Sequence, residues 1–248
     1  MKTSNKILLS FFALVLLTIT ILLIVLNADK NFDSFPDTSY KSGKAEKQCD
    51  LAYFNKIEIE NKFVVYYTQD TFQKIIVKAD NKLIDRAMIE VQNGKLIIHS
   101  RKRLSFRQHI DVFVTNDSIN EIVSSAGSAF KTINKIKVHQ MDVSGEAGAT
   151  FQMNGDFANL KLELSAGSVG DFSGNCKNLE INSSAGAVIN AENMVTEIGK
   201  VNSSAGAVVN INITKELSIE ASAGSIVKCQ GNPQIKDIDI SSGAQFLK

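Results

Sequence analysis

The amino-acid sequence predicts an all-β chain that coils as a parallel β-helix. Three observations support this prediction. A short phrase rich in serine, alanine and glycine recurs at a nearly constant interval, apolar and polar residues alternate around each copy, and proline occurs only twice in 248 residues. Recurrence indicates a solenoid of stacked units, and alternation with period two indicates strands with one buried face. Few prolines leave the hydrogen-bonded ladders uninterrupted.

The N-terminal segment is apolar from residue 7 to residue 26. A helix of this length spans about 30 Å, which matches the hydrocarbon core of a bilayer. Lys2 and Lys6 precede it, so we expect residues 1–6 to be a cytoplasmic stub and the rest of the chain to lie outside. A cleaved signal peptide is the alternative interpretation, and removal of residues 1–28 would then give a secreted protein. Both interpretations predict export.

The next two segments differ in their hydrophobic pattern. Residues 27–50 are polar and lack a hydrophobic period, so they are predicted to form a flexible linker. Residues 51–123 contain several short β-branched runs and form the predicted β-rich N-terminal part of the exported domain. Within it, Asn93-Gly94 separates two such runs and predicts a hairpin, because both residues tolerate positive φ.

Residues 124–248 are the predicted repeat β-helix. Successive glycines of the recurring phrase are 18 to 21 residues apart, which leaves room for three short strands and three turns in each coil. These glycines are Gly127, Gly148, Gly167, Gly186, Gly206, Gly224 and Gly243. The Ala-Gly pairs are expected at tight corners where a larger inward side chain would not fit, and the serines before them are expected to face outward in a hydroxyl ladder.

Two columns of apolar residues are predicted to point inward. Five residues before each repeat glycine stands a branched apolar residue, and three residues after it stands a residue that is apolar in six of the seven repeats. The first column is Ile122, Val143, Leu162, Ile181, Val201, Ile219 and Ile238. The second column is Phe130, Phe151, Gly170, Ile189, Val209, Val227 and Phe246. Equivalent residues of stacked coils lie about 4.8 Å apart, so each column forms a continuous stack.

The composition and motifs indicate no catalytic residue, metal site or cofactor. The serine phrases lack the G-x-S-x-G pattern of a nucleophile elbow, and the three histidines share no metal-ligand spacing. A net charge of +1 gives no basic face for nucleic acid. The three cysteines are too few for a disulfide framework, and the sequence is compatible with either a Cys176–Cys229 bridge or buried free thiols.

One outward column is the candidate binding surface. It stands four residues before the repeat glycines and carries carboxylates and amides, although a solvated face is the alternative interpretation. Its candidate residues are Glu163, Asn182, Asn202, Glu220 and Asp239.

The exported region resembles the putative auto-transporter adhesin, head GIN domain family of bacterial envelope proteins. The residues that carry the resemblance are 54–57, 93–98, 111–115 and the junction 122–127, and the resemblance runs from residue 54 to residue 248. It implies a β-rich start that leads into a right-handed β-helix, and an adhesion-like role. It brings no residue-level binding site.

These observations together predict a non-enzymatic, exported envelope protein with a β-helical binding or adhesion-like surface. Its expected partners are the membrane, through residues 7–26, and an envelope polymer or protein ligand. A polysaccharide-active enzyme that uses the outward column is one alternative. A self-assembling scaffold is the other, because the last coil near Phe246 has no obvious polar cap and an open coil edge favours homo-oligomerisation. The expected location is the membrane, with the bulk of the chain outside the cytoplasm, in the periplasm or at the cell surface.

Overall fold

The protein is described by a computed structural model that covers residues 44–105 and 108–248. The predicted membrane span 7–26 lies outside the described residues. Within the described ranges, no helix is both long and apolar enough to cross a bilayer.

These ranges contain seventeen strands and one turn of 3-10 helix at Ile84–Arg86. The strands are β1 Lys44–Cys49, β2 Lys56–Ile59, β3 Phe63–Gln69, β4 Lys74–Asp80, β5 Ala87–Gln92, β6 Lys95–Ser100, β7 Ile110–Asn116, β8 Glu121–Ser124, β9 Ala129–Thr132, β10 Ile136–Gly145, β11 Thr150–Leu164, β12 Val169–Ser183, β13 Val188–Ser203, β14 Val208–Ala221, β15 Ile226–Gln230, β16 Gln234–Ile240 and β17 Gln245–Leu247.

The repeat region is a parallel solenoid in which each coil pairs with the next. The first predicted inward column is in direct register through all seven coils, from Ile122 on β8 to Ile238 on β16. Six of its members are buried, and Ile238 in the last coil is 48% exposed. The prediction of a repeat solenoid with coils of about nineteen residues is therefore confirmed.

The second predicted column is also confirmed as an inward stack. Its phenylalanine, isoleucine and valine members from Phe130 to Val227 are fully buried. Gly170 interrupts the stack, and the space beside it is filled by the ring of Phe172, two residues along the same face. The large ring at position 172 thus compensates for the missing side chain at position 170, and the core stays filled.

The Ala-Gly pairs lie in the turns of the repeat, but their role there is not the one expected from the sequence. Alanine and glycine both have positive φ, for example 48° at Ala185 and 71° at Gly186. The Ala187 N–H donates to the Ser184 carbonyl at 3.1 Å, which closes a β-turn with the φ signs of type I′. The pairs are largely exposed, and an added Cβ at Gly186 would meet nothing within 4 Å. The expectation of a crowded inward corner is wrong, since the turn needs the positive φ and not the space.

The β-rich part before the repeats, predicted at residues 51–123, belongs to the same stack. Strand β2 pairs in parallel with both β6 and β8, and β3 pairs in parallel with both β7 and β9. The coil of β2 and β3 therefore lies between the coil of β6 and β7 and the first repeat coil. Its turn uses Asn61 and Lys62, each with φ of 63°, at the place of Ala126 and Gly127. The solenoid thus begins before residue 124.

The structure differs from the predicted linker 27–50 at its last residues. Lys44–Cys49 forms β1, which pairs antiparallel with β4 along its whole length. Its sequence has little apolar character, so the strand is held chiefly by backbone hydrogen bonds to an existing edge.

The predicted hairpin is confirmed, because β5 and β6 pair antiparallel around Asn93 and Gly94, with φ of 52° and 74°.

Candidate functional site

The five candidate residues of the outward column stand in register on consecutive coils. Glu163 pairs with Asn182, Asn182 with Asn202, Asn202 with Glu220, and Glu220 with Asp239. The first four line one groove with a volume of about 640 Å³, whereas Asp239 does not line it.

A second row of side chains also lines this groove, which we call the amide groove, and we refer to each row as one of its walls. The row stands two residues before the repeat glycines, so one inward residue separates it from the first row. Its members are Glu146, Ser165, Ser184, Ser204 and Ser222. The alternation of strand side chains places both rows outward, while Ser183 and Ser203 between them are buried.

The polar side chains of the amide groove fall into two sets, those that form a hydrogen bond within the described residues and those that do not. Asn202 Nδ2 donates to Asn182 Oδ1 at 2.9 Å, and both side chains are half-buried. The hydroxyls of Ser165, Ser184, Ser204 and Ser222 form no hydrogen bond to any described residue, so the predicted outward hydroxyl ladder is absent from this part of the chain. A serine contact occurs inside instead, where Ser183 Oγ donates to Ser203 Oγ at 3.0 Å.

The amide groove carries negative charge and no cationic lining residue. Glu146, Glu163 and Glu220 are the charged members of its described lining. Lys161 lies 2.7 Å from the Glu163 carboxylate, and this hydrogen bond raises the pKa of Lys161. A second groove of about 580 Å³ on another face differs, because Lys137, His139 and other charged residues of both signs line it.

The described titratable residues outside the amide groove include two buried thiols and no group of metal ligands. Across residues 44–105 and 108–248, no three His, Cys, Asp or Glu side chains are grouped as ligands of a metal ion. Cys176 and Cys229 are buried free thiols, so the possible bridge between them is not formed. Burial raises the pKa of Cys176 to about 12, and its thiol therefore stays protonated at neutral pH.

The fold and this site define a β-solenoid protein with an elongated polar groove along one side. The family profile described as "Putative auto-transporter adhesin, head GIN domain" matches residues 53–233. The chain belongs to this family. The resemblance carried by residues 54–57, 93–98, 111–115 and 122–127 is thereby confirmed.

Solved structures of similar fold come from Parabacteroides and Bacteroides species. The "putative lipid binding protein" of Parabacteroides distasonis ATCC 8503 has a TM-score of 0.68 at 14% identity, covering 84% of this chain and 97% of its own. The "putative adhesin" of Parabacteroides merdae ATCC 43184 has a TM-score of 0.68 at 13% identity, covering 83% and 96%. A "putative adhesin" of Bacteroides fragilis NCTC 9343 has a TM-score of 0.67 at 18% identity, covering 84% and 96%. At these identities the likeness shows the fold alone. No curated protein matches the chain.

Proposed function

We propose that this protein is a non-enzymatic, adhesion-like protein of the bacterial envelope that binds an extended polymer along the amide groove. Residues 7–26 hold it in the membrane in this proposal, with the solenoid outside. The observation that carries the proposal is the gathering of Glu163, Asn182, Asn202 and Glu220 into one groove that crosses several coils. Extended faces of stacked repeats are suited to long ligands.

The enzymatic alternative requires two carboxylates at a working distance. In glycoside hydrolases the two catalytic carboxyl groups lie about 5 to 9.5 Å apart. Glu163 and Glu220 are separated by three coil steps, and at about 4.8 Å for each step their backbones lie about 14 Å apart. This separation disfavours hydrolysis by that pair. Asp239 lies one coil step, about 4.8 Å, from Glu220, but it does not line the groove.

Retention without cleavage is the expected result when the full-length chain is tested on an array of envelope polymers. The array contains neutral and anionic polysaccharides, lipopolysaccharide, peptidoglycan and envelope proteins, and the chain is purified in a mild detergent. Bound protein is detected by antibody, and release of shorter products is followed by size-exclusion chromatography. Cleavage of any polymer, or the absence of retention on all of them, would contradict the proposal. A detergent-only sample is the blank.

A second proposal is self-association through the last coil, formed by β16 and β17. Within the described residues, β16 pairs only with β14 and β17 only with β15. Ile238 and Leu247 are 48% and 43% exposed there. Edge strands with exposed apolar side chains tend to pair with another chain. We propose a second copy as the partner, with β17 as the pairing edge, since Gln245–Leu247 carries no charged side chain, whereas β16 carries Lys236, Asp237 and Asp239.

Sedimentation velocity of the full-length chain is expected to show a dimer that Ile238→Lys dissociates. The substitution places a charge on the exposed apolar edge, and charged residues on edge strands oppose pairing. Ile133→Lys is the matched control, because Ile133 is also exposed, at 56%, but lies after β9, far from the last coil. A chain that stays monomeric at high concentration would rule out self-association.

A further inference from the structure

We propose that the ligand of the amide groove is a neutral, linear polysaccharide that lies parallel to the solenoid axis, across the strands. This inference rests on the proposed function, because it names the ligand class of the same groove. It follows from three properties of the lining: the spacing of its polar groups, their hydrogen-bonding type and their charge.

The spacing of the groove matches a polymer of sugars. Its lining comes from five successive coils, from Ser144 to Ser222. With about 4.8 Å between coils, the groove presents equivalent groups over about 19 Å. An extended chain of linked hexopyranose rings advances by a similar distance for each ring. Successive sugars can therefore meet one pair of polar side chains on each coil, and this pair is Asn and Ser on two of the five coils.

The hydrogen-bonding groups suit sugar hydroxyls. Amides and hydroxyls, such as those of Asn182, Asn202, Ser184 and Ser204, both donate and accept, and sugar hydroxyls do the same. The backbone between the two walls is already engaged, for example where Ser204 N–H donates to the Ser183 carbonyl at 2.9 Å. The side chains are thus the groups that recognise a ligand, and they repeat with the coil.

The charge and polarity of the lining argue against the other polymers. Glu146 and Glu220 would repel the phosphates or carboxylates of an anionic polymer, and the described lining includes no Lys, Arg or His side chain to pair with such a polymer. The charge of Glu163 is compensated by Lys161, which lies beside the groove at 2.7 Å. A lipid acyl chain would bury amides and hydroxyls without partners. Leu164, the large apolar residue of the lining, has its side chain in the core.

Isothermal titration of the full-length chain with neutral oligosaccharides tests this inference. The probes are cello-oligosaccharides and chito-oligosaccharides of one to six sugars. We expect at least one neutral series to bind, with affinity that rises with length and levels off near four or five sugars, when the chain fills the about 19 Å of the groove. Oligogalacturonides of the same lengths and phosphatidylcholine vesicles are the anionic and lipid probes, and we expect neither to bind in the groove.

Two variants assign the binding to the amide groove. Asn182→Ala/Asn202→Ala removes the stacked amides and is expected to weaken binding about tenfold or more, since several hydrogen bonds are lost. Ser184→Arg places a large side chain in the groove at a half-buried position, and it is expected to weaken binding at least as much. Asn159→Ala/Asn178→Ala is the matched control. It removes another amide pair, with Asn178 Nδ2 also 2.9 Å from Asn159 Oδ1, which lies outside the amide groove, four residues before Glu163 and Asn182 on the same strands.

The outcomes separate this inference from the proposed function. Neutral oligosaccharides that bind equally well to the wild-type chain and to both groove variants would overturn the inference. So would groove-dependent binding of oligogalacturonides or vesicles alone, although a polymer-binding function would then remain. Failure of every polymer on the array would overturn both proposals. Far-UV circular dichroism of each variant establishes that the solenoid is folded.

Discussion

Gly174→Ala is expected to lower the free energy of unfolding by about 3 kcal/mol or more, which is in the upper range for single substitutions. Gly174 stacks directly on Gly155 of the preceding coil, where β12 departs from regular register with β13. A Cβ at this position would lie 2.0 Å from the Gly155 carbonyl oxygen, and φ is +108°. Because the obstructing atom belongs to the backbone of a neighbouring coil, the clash cannot be relieved by a side-chain rotation.

Urea unfolding of the full-length chain, followed by far-UV circular dichroism, measures this effect. Gly186→Ala is the matched control, since φ is +71° there but an added Cβ meets nothing within 4 Å. The control retains only the backbone strain, which costs about 1–2 kcal/mol for a residue with a Cβ. Equal losses of stability in the two variants would show that the close approach of the Gly155 carbonyl contributes nothing.

Phe172→Ala is expected to lower the free energy of unfolding by about 3–5 kcal/mol, the usual cost of removing a buried aromatic ring. The ring is fully buried and lies against Gly170, where an added Cβ would come within 2.4 Å of it. Its removal leaves a cavity in the second inward stack, at the position where glycine already contributes no side chain. Neighbouring coils cannot close this cavity fully, because their strand spacing is fixed by the backbone ladders.

A double-mutant cycle with Gly170→Ala tests whether side chains at positions 170 and 172 compete for the same space in the core. In the wild-type chain Gly170→Ala is expected to destabilise, because the new methyl group meets the Phe172 ring and a methyl of Leu164 at 2.9 Å. In the Phe172→Ala background the ring is absent, so the same change is expected to cost less or to stabilise. Additive effects of the two substitutions would contradict direct packing between these positions. Urea unfolding is again the measurement.

The sequence predicted the parts of the fold that depend on local periodicity. Alternation around each glycine identified Ile181 and Ile189 as inward residues, and the period of about nineteen residues placed their equivalents in columns. The same alternation identified Asn182 and Asn202 as outward neighbours. These inferences hold because strand side chains alternate strictly and stacked parallel coils keep one register.

Other features depend on contacts that are distant in the chain. The coil of β2 and β3 lies between β6 and β8, and β1 forms on the edge of β4, which no local pattern specifies. The turn at Asn61 and Lys62 lacks the repeat glycine, so it was not recognised as part of the repeat. A signal was nevertheless present, because Ile57 stands five residues before Lys62, as Ile122 does before Gly127.

The fold class, the inward columns and the polar column that includes Glu163, Asn182, Asn202 and Glu220 could all be predicted from the order of residues. The tertiary structure alone decided that these four residues share a groove with a serine wall, while Asp239 does not line that groove. The order of residues in each repeat determines which side chains align along the solenoid, because equivalent positions of successive repeats pair in register. The depth of a groove depends on how the backbone bends between strands, and that bend is set by the packing of the core beneath it.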